Sequence, residues 1–189
     1  RQAIDEDLAQ INHSIGQLME YARPAGQVPE AGIDVSRVLK DLFERERSHT
    51  ESLGGELSAS IQPGLQARIS ANDLKRIVSN LIENARRYGR SAGDDRAHIS
   101  LIAFQTGNQL TIEVRDQGMG IPQTDIQRLL RPFARGESAR TGVSGAGLGL
   151  SIVERLLGQV GGKFTLAPNT PHGLLARIEI PKAKPQGKA

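Results

Sequence analysis

The chain has 189 residues, 38% hydrophobic and 24% charged, a balance that excludes disorder over most of its length and supplies one good core or two small ones. It holds no cysteine, which excludes a disulfide framework, a thiolate nucleophile and any metal site built on sulfur. The net charge of +3 is a tail effect of Lys182, Lys184 and Lys188; the other 21 basic residues match 21 acidic ones, and four Phe and two Tyr make no stacking platform for nucleic acid.

In chain order, Ile4, Leu8, Ile11, Ile15, Leu18 and Ala22 recur at steps of four and three, the heptad seam of a helix made to pack on a second long helix. No second heptad stretch follows, so the seam's partner is expected from a preceding segment or another subunit. Neither a signal peptide nor a membrane-length apolar run is visible, so the sequence reads as a soluble piece. Tyr21 to Pro29 reads as a linker broken by Pro24, Gly26 and Pro29. Asp34 is expected to cap a helix carrying Val35, Val38, Leu39, Leu42 and Phe43. Strands are expected over Glu56 to Gln62 and Leu65 to Ser70, parted by Pro63-Gly64. Asn72 then caps a helix whose buried face is Leu74, Ile77, Val78, Leu81, Ile82 and Ala85. Ile99 to Phe104 and Leu110 to Val114 form a hairpin about Gly107-Asn108. A short helix over Ile126 to Leu130, a longer one over Leu148 to Val160, and strands Lys163 to Ala167 and Leu174 to Ile180 complete the pattern. Helices mixed with hairpins indicate an α+β sandwich with helices on one face of a mixed sheet, and residues 182–189 read as a disordered basic tail.

Three segments carry chemistry. On the helix after Asn72, residues Asn80, Asn84, Arg87 and Tyr88 share a face apart from the apolar stripe. Asparagine is a poor helix former. The pair is either a solvated polar face or a site where an amide oxygen meets a hard cation, Arg87 an anion and Tyr88 a flat apolar group. The second segment, Asp116-Gln117-Gly118-Met119-Gly120-Ile121-Pro122, ends a strand: its carboxylate either caps a turn or accepts from an amino group such as that of adenine. The third, Gly142 to Leu150, runs into a helix, where free N–H groups and the positive end of the dipole face phosphates. It matches neither a P-loop nor G-x-G-x-x-G. Of 21 glycines, well above the usual ~7%, seven fall between 118 and 149. Between the last two segments, Arg131 to Arg140 combines phosphate-neutralising arginines with the small residues of a lid.

Asn80-Leu81-Ile82-Glu83-Asn84-Ala85-Arg86-Arg87-Tyr88-Gly89, Asp116-x-Gly118-x-Gly120-Ile121-Pro122, Pro132-Phe133-x-Arg135-Gly136 and Gly145-x-Gly147-Leu148-Gly149-Leu150 resemble the N box, first glycine box, F box and second glycine box of sensor histidine kinases. Arg135 to Thr141 is similar to the EnvZ-type members, and the resemblance covers residues 30 to 181. It implies a two-layer α/β sandwich of the Bergerat type (34–181), preceded by part of the second helix of a dimerisation and phosphotransfer hairpin (1–24) and a linker (25–33). It also implies ATP and Mg²⁺ as cofactors. Asn84 would bind Mg²⁺ with Asn80 in support, and Arg87 and Arg135 would contact phosphates. Tyr88 and Ile121 would line the adenine slot, Asp116 would accept from the adenine amino group, and Gly118 and Gly120 would let backbone approach the ligand. Gly136 follows Arg135 in the lid, and Gly145, Ala146, Gly147, Leu148, Gly149 and Leu150 would cradle the phosphates. Asn84 and Arg135 are the candidate catalytic residues. The implied partners are ATP and ADP, a histidine-bearing helix of the same or the partner subunit of a homodimer, and a response regulator. The implied setting is the cytoplasmic side of an inner-membrane sensor.

The family's acceptor histidine is followed by an acidic residue on the first hairpin helix, and His13, His49, His98 and His172 all lack that context. The chain is therefore expected to bind ATP without phosphorylating itself. The alternatives are a nucleotide-gated conformational ATPase of the gyrase or chaperone kind and a non-catalytic ATP-binding module.

Overall fold

The computed structural model describes residues 15–16, 18–91, 93, 95–121 and 148–182. The lid segment, the short helix at 126–130, Arg135, Gly136, Gly145, Ala146 and Gly147 lie outside the described residues.

Residues 18–22 are helical, with Leu18 of the heptad seam about half exposed, and the chain is irregular from 23 to 32. Strand β1 (Ile33–Asp34) leads into helix α1 (Val35–Ser52), where the Asp34 carboxylate accepts from the Arg37 N–H at 3.0 Å. Strand β2 is Glu56–Ile61. The strand expected over 65–70 shrinks to β3 (Gln66–Ala67), antiparallel to β1. Ser70 is already the cap of helix α2 (Ala71–Tyr88), its hydroxyl accepting from the Asp73 N–H, and not Asn72, which lies inside the helix. The helix starts two residues earlier than expected, directly after the fully buried Ile69. The hairpin β4 (His98–Thr106) and β5 (Gln109–Asp116) follows, turning at Gly107 with φ +57°. Helix α3 (Gly149–Gln159) and the hairpin β6 (Lys163–Pro168) and β7 (Leu174–Pro181) close the fold.

The main sheet runs β2-β4-β5-β7-β6, with β2 parallel to β4 and every other pair antiparallel. The register puts Leu57, Ile99, Leu101, Ala103, Ile112, Val114, Ala176 and Ile178 on one face. They meet Leu39 and Leu42 of α1, Leu74, Ile77, Val78, Leu81 and Ile82 of α2, and Ile152, Val153 and Leu156 of α3 in one buried core. This is the expected α+β sandwich, helices over one face of a mixed sheet. No helix among the described residues is long and apolar enough to cross a membrane.

The same period that aims Ile112 and Val114 into the core aims Asp116 there too, opposite Ile99 at the end of β5. Helix α2 runs beneath the sheet from Ser70 to the Asp116 end, and α3 lies beside it, so the fold brings three element ends together.

Candidate functional site

Asp116 is 6% exposed. Its Oδ1 accepts the N–H of Gly118 at 2.9 Å and of Leu174 at 3.1 Å, and its backbone carbonyl accepts from Asn169 Nδ2 at 2.8 Å. No donor among the described residues reaches Oδ2. Burial pushes the Asp116 carboxyl above its ordinary value, and the two backbone N–H groups only partly offset this. A carboxylate half satisfied by fixed backbone, with no cation among the described residues paired to it, is a ready acceptor for an uncharged donor.

Glycines build the wall around it. A Cβ on Gly89, the C-cap of α2, would stand 2.5 Å from that of Asp116; on Gly118, 2.7 Å from the Gly89 Cα; on Gly120, 2.8 Å from the Gly173 carbonyl oxygen. Gly173, at φ +105°, comes closest of all: its Cβ would be 2.0 Å from the Asp116 carbonyl oxygen. Gly118 and Gly120 thus permit backbone to approach backbone, closing three segments onto one carboxylate. His172 Nδ1 lies 2.8 Å from the Gln117 carbonyl and fastens the same loop. Tyr88, 45% exposed, precedes Gly89, and Ile121 packs half-buried against the core just beyond Gly120.

The second part of the site lies between α2 and α3. Asn80 donates to the Arg76 carbonyl at 2.8 Å, leaving its amide oxygen toward α3, while the half-buried Asn84 amide has no hydrogen-bond partner among the described residues. A Cβ on Gly149 would lie 3.1 Å from Asn80 Oδ1 and 3.5 Å from Asn84 Nδ2, so the first residue of α3 abuts both amides. No side chain among the described residues caps α3; Ser151 bonds back to the Leu148 carbonyl instead, and no described residue takes the first-turn N–H groups. Leu148 and Ile152 anchor this helix end in the core, while Leu150 is half-buried.

Arg87 Nε bonds Glu83 Oε1 at 2.7 Å, and Glu83 Oε2 receives Arg86, which reaches Glu46 of α1 at 3.0 Å. The two guanidiniums hold the Glu83 carboxyl below its ordinary value against the opposing effect of burial. The structure thus brings together Asn80, Asn84 and Gly149, and separately Asp116, Gly118 and Gly120. Gly89, Asn169, Gly173 and Leu174 complete the Asp116 wall and were not singled out as site residues in the sequence. Asn169, Gly173 and Leu174 carry only the local signal of a turn-rich Pro/Asn/Gly loop, and Gly89 only its place at the end of the Asn80 to Gly89 motif.

Residues 69–184 match the family model for histidine kinase-, DNA gyrase B- and HSP90-like ATPases. The sensor protein kinase CarS of Pseudomonas aeruginosa is 30% identical over 97% of this chain and 39% of its own length. The solved histidine kinase domain of the Escherichia coli osmosensor EnvZ superposes with TM-score 0.62 at 29% identity, covering 88% of this chain and 97% of that one. A mycobacterial sensor histidine kinase, MprB, gives TM-score 0.69 at 25% identity over 79% of this chain and 97% of that chain. The chain spans 20–39% of the length of the curated relatives it matches.

Proposed function

The chain belongs to the family of histidine kinase-, DNA gyrase B- and HSP90-like ATPases, as an ATP-binding catalytic domain of the sensor histidine kinase type, and from that premise we propose how its residues hold Mg-ATP and serve phosphoryl transfer. The observation that carries the reading is Asp116, a buried side chain whose Oδ2 receives no donor from the described residues, in a wall of glycine backbone. It accepts the 6-amino group of adenine, a charge-assisted bond contributing on the order of 1.5–3 kcal/mol, while Tyr88 and Ile121 flank the ring. Gly118 and Gly120 hold the wall that fixes the carboxylate.

Asn84 offers its amide oxygen to Mg²⁺, whose octahedron phosphates and waters otherwise fill; Asn80 steadies the same face. Leu148, Gly149 and Leu150 present the start of α3 to the phosphates, and Arg87 supplies positive charge from α2. Arg135, Gly136, Gly145, Ala146 and Gly147 belong to the same reading by motif alone. Bound Mg-ATP supplies the γ-phosphoryl group. The residues position it and neutralise its charge, and transfer of this kind needs no nucleophile from the ATP-binding domain. The acceptor is a histidine on a dimerisation hairpin, to whose second helix the motif resemblance assigns residues 1–24. From there the phosphoryl group passes to a response-regulator aspartate, in a homodimeric inner-membrane sensor whose kinase domain faces the cytoplasm. The relatives reported above are sensor kinases, which disfavours a gyrase- or chaperone-like ATPase.

Calorimetry of Mg-ATP binding to Asn84→Ala and Asp116→Ala tests the site: both weaken binding, and unchanged affinity in both overturns the reading. Incubation with γ-labelled ATP leaves this chain unlabelled, and labelling of any of its four histidines contradicts the assignment of the acceptor.

A further inference from the structure

The segment that leaves the N-terminal helix is fastened to both helices of the nucleotide site. Arg76, one turn before Asn80 on α2, directs its guanidinium at this segment: Nε to Glu20 Oε2 at 2.9 Å, Nη2 to the Glu20 carbonyl at 2.6 Å, and Nη1 to the Pro24 carbonyl at 3.3 Å. Asp73 holds the same guanidinium at 3.2 Å and accepts the Gly26 N–H at 2.7 Å. A Cβ on Gly26 would fall 2.3 Å from Ser70 Oγ, so glycine alone fits this seat. On α3, Arg155 donates to the Arg23 carbonyl at 3.1 Å and lies 5.5 Å from the centre of the Tyr21 ring. Residues 20–26 therefore bridge α2 and α3, the two helices whose Asn80, Asn84 and Gly149 meet across the site. The carbonyl of Arg76 itself receives the Asn80 amide, and a groove of about 380 Å³ runs from Glu20 and Arg23 past Arg76 to Asn80.

We propose that Arg76 is a positioning residue for the nucleotide site, and that residues 20–26 form a strap through which the N-terminal helix and nucleotide occupancy are energetically coupled. The inference rests on the reading of the Asn80, Asn84 and Gly149 cluster as part of a nucleotide site. A mostly buried guanidinium, its side chain 10% exposed, with four acceptors is a rigid joint. Moving the helix end moves Glu20, and the strain passes through Arg76 to the amide that faces α3. Coupling of this kind is reciprocal: if the strap tightens nucleotide binding by some factor, nucleotide tightens the strap by the same factor.

The test uses the 189-residue chain with Mg-ADP as the probe. Calorimetry gives affinity, and hydrogen exchange of the amides in 18–26, with and without Mg-ADP, gives strap protection. Arg76→Gln and Glu20→Gln are expected to weaken Mg-ADP by roughly fivefold and to abolish the nucleotide-dependent protection. Arg76→Lys, which keeps the charge without the fork, restores only part of both. Gly26→Ala displaces the strap without touching Arg76 and reproduces the loss; with Glu20→Gln, it decides the matter if Arg76→Gln does not fold. A merely structural Arg76 lowers the melting temperature and leaves affinity and nucleotide-dependent exchange as in the parent chain, which overturns the proposal. Failure of the parent chain to bind Mg-ADP overturns the nucleotide reading, and the strap with it; binding without coupling overturns the strap alone.

Discussion

The two ends of helix α2 each bury an aspartate, and they treat it in opposite ways. At the N-terminal end both oxygens of Asp73 are taken, Oδ2 by the Gly26 N–H and Oδ1 by Arg76, whose remaining bonds go to Glu20 and Pro24. At the C-terminal end Asp116 faces the Gly89 cap, with two backbone N–H groups on Oδ1 and no donor among the described residues on Oδ2. Buried polar groups are ordinarily satisfied. A completed set of bonds marks a joint; an incomplete set, held in place by backbone that cannot move to complete it, marks a place for a ligand.

The harshest way to break the Asp116 end is through its wall. Gly173→Ala puts a methyl group 2.0 Å from the Asp116 carbonyl oxygen at φ +105° and is expected to cost about 3 kcal/mol or more, through backbone strain and overpacking. Urea melts read this directly, and a chain of unchanged stability shows that the wall is not built as described.

Next come the aspartates themselves, whose removal acts with opposite sign on stability. Burial raises the Asp116 pKa above its ordinary 3.8, so the folded chain holds that proton more tightly than the unfolded chain. Between the two values stability falls as pH rises, and above both the ionised carboxylate is a constant cost. Asp116→Asn removes that cost. Its expected melting temperature at neutral pH equals or exceeds that of the parent, while Mg-ATP affinity falls by roughly 10- to 100-fold. Asp73→Asn instead breaks a buried pair with Arg76 and loses about 1–3 kcal/mol. Melting temperatures that move the same way in both variants break the contrast.

A smaller effect sharpens it. Adenine's amino group needs the ionised Asp116, so affinity falls as pH drops through the raised pKa, at a higher pH than an ordinary aspartate would give. Binding in that window releases a proton, measurable by calorimetry in two buffers of different ionisation enthalpy. Proton uptake contradicts the assignment. The smallest effect belongs to the flank: Arg86 and Arg87 hold the Glu83 pKa down, so Glu83 contributes stability above its ordinary 4.5 that is lost as pH falls. Glu83→Gln is expected to cost about 0.5–1 kcal/mol at neutral pH and less in acid, by denaturant melts. A cost that grows in acid refutes the pairing.

What the sequence disclosed was whatever depends on neighbours along the chain. Asp116-x-Gly118-x-Gly120 is visible because a strand end and its turn are local, and the Leu74, Ile77, Val78, Leu81 stripe because helical period is local. Ser70 and Asn72 are both capping types, and only the three-dimensional fold, in which Ser70 follows the buried Ile69 and accepts from the Asp73 N–H, shows which one caps. Gly89, Asn169 and Gly173 owe their importance to contact with Asp116 across 27 to 57 positions, and no periodicity carries that. The ion pair from Glu46 to Arg86 looks like two solvated helix surfaces until α1 and α2 are packed. Gly26 read as a linker breaker, and its seat against Ser70 appears only in three dimensions.

The central claim, that Asp116 Oδ2 receives the 6-amino group of adenine, is tested most directly by a cycle of two proteins and two nucleotides. Mg-ATP and the Mg-triphosphate of purine riboside, which lacks only that amino group, are titrated into the parent chain and Asp116→Asn. The parent is expected to bind ATP roughly 10- to 100-fold more tightly than the purine analogue, and the variant to lose most of that preference. Equal affinity of the parent for both nucleotides would contradict the claim.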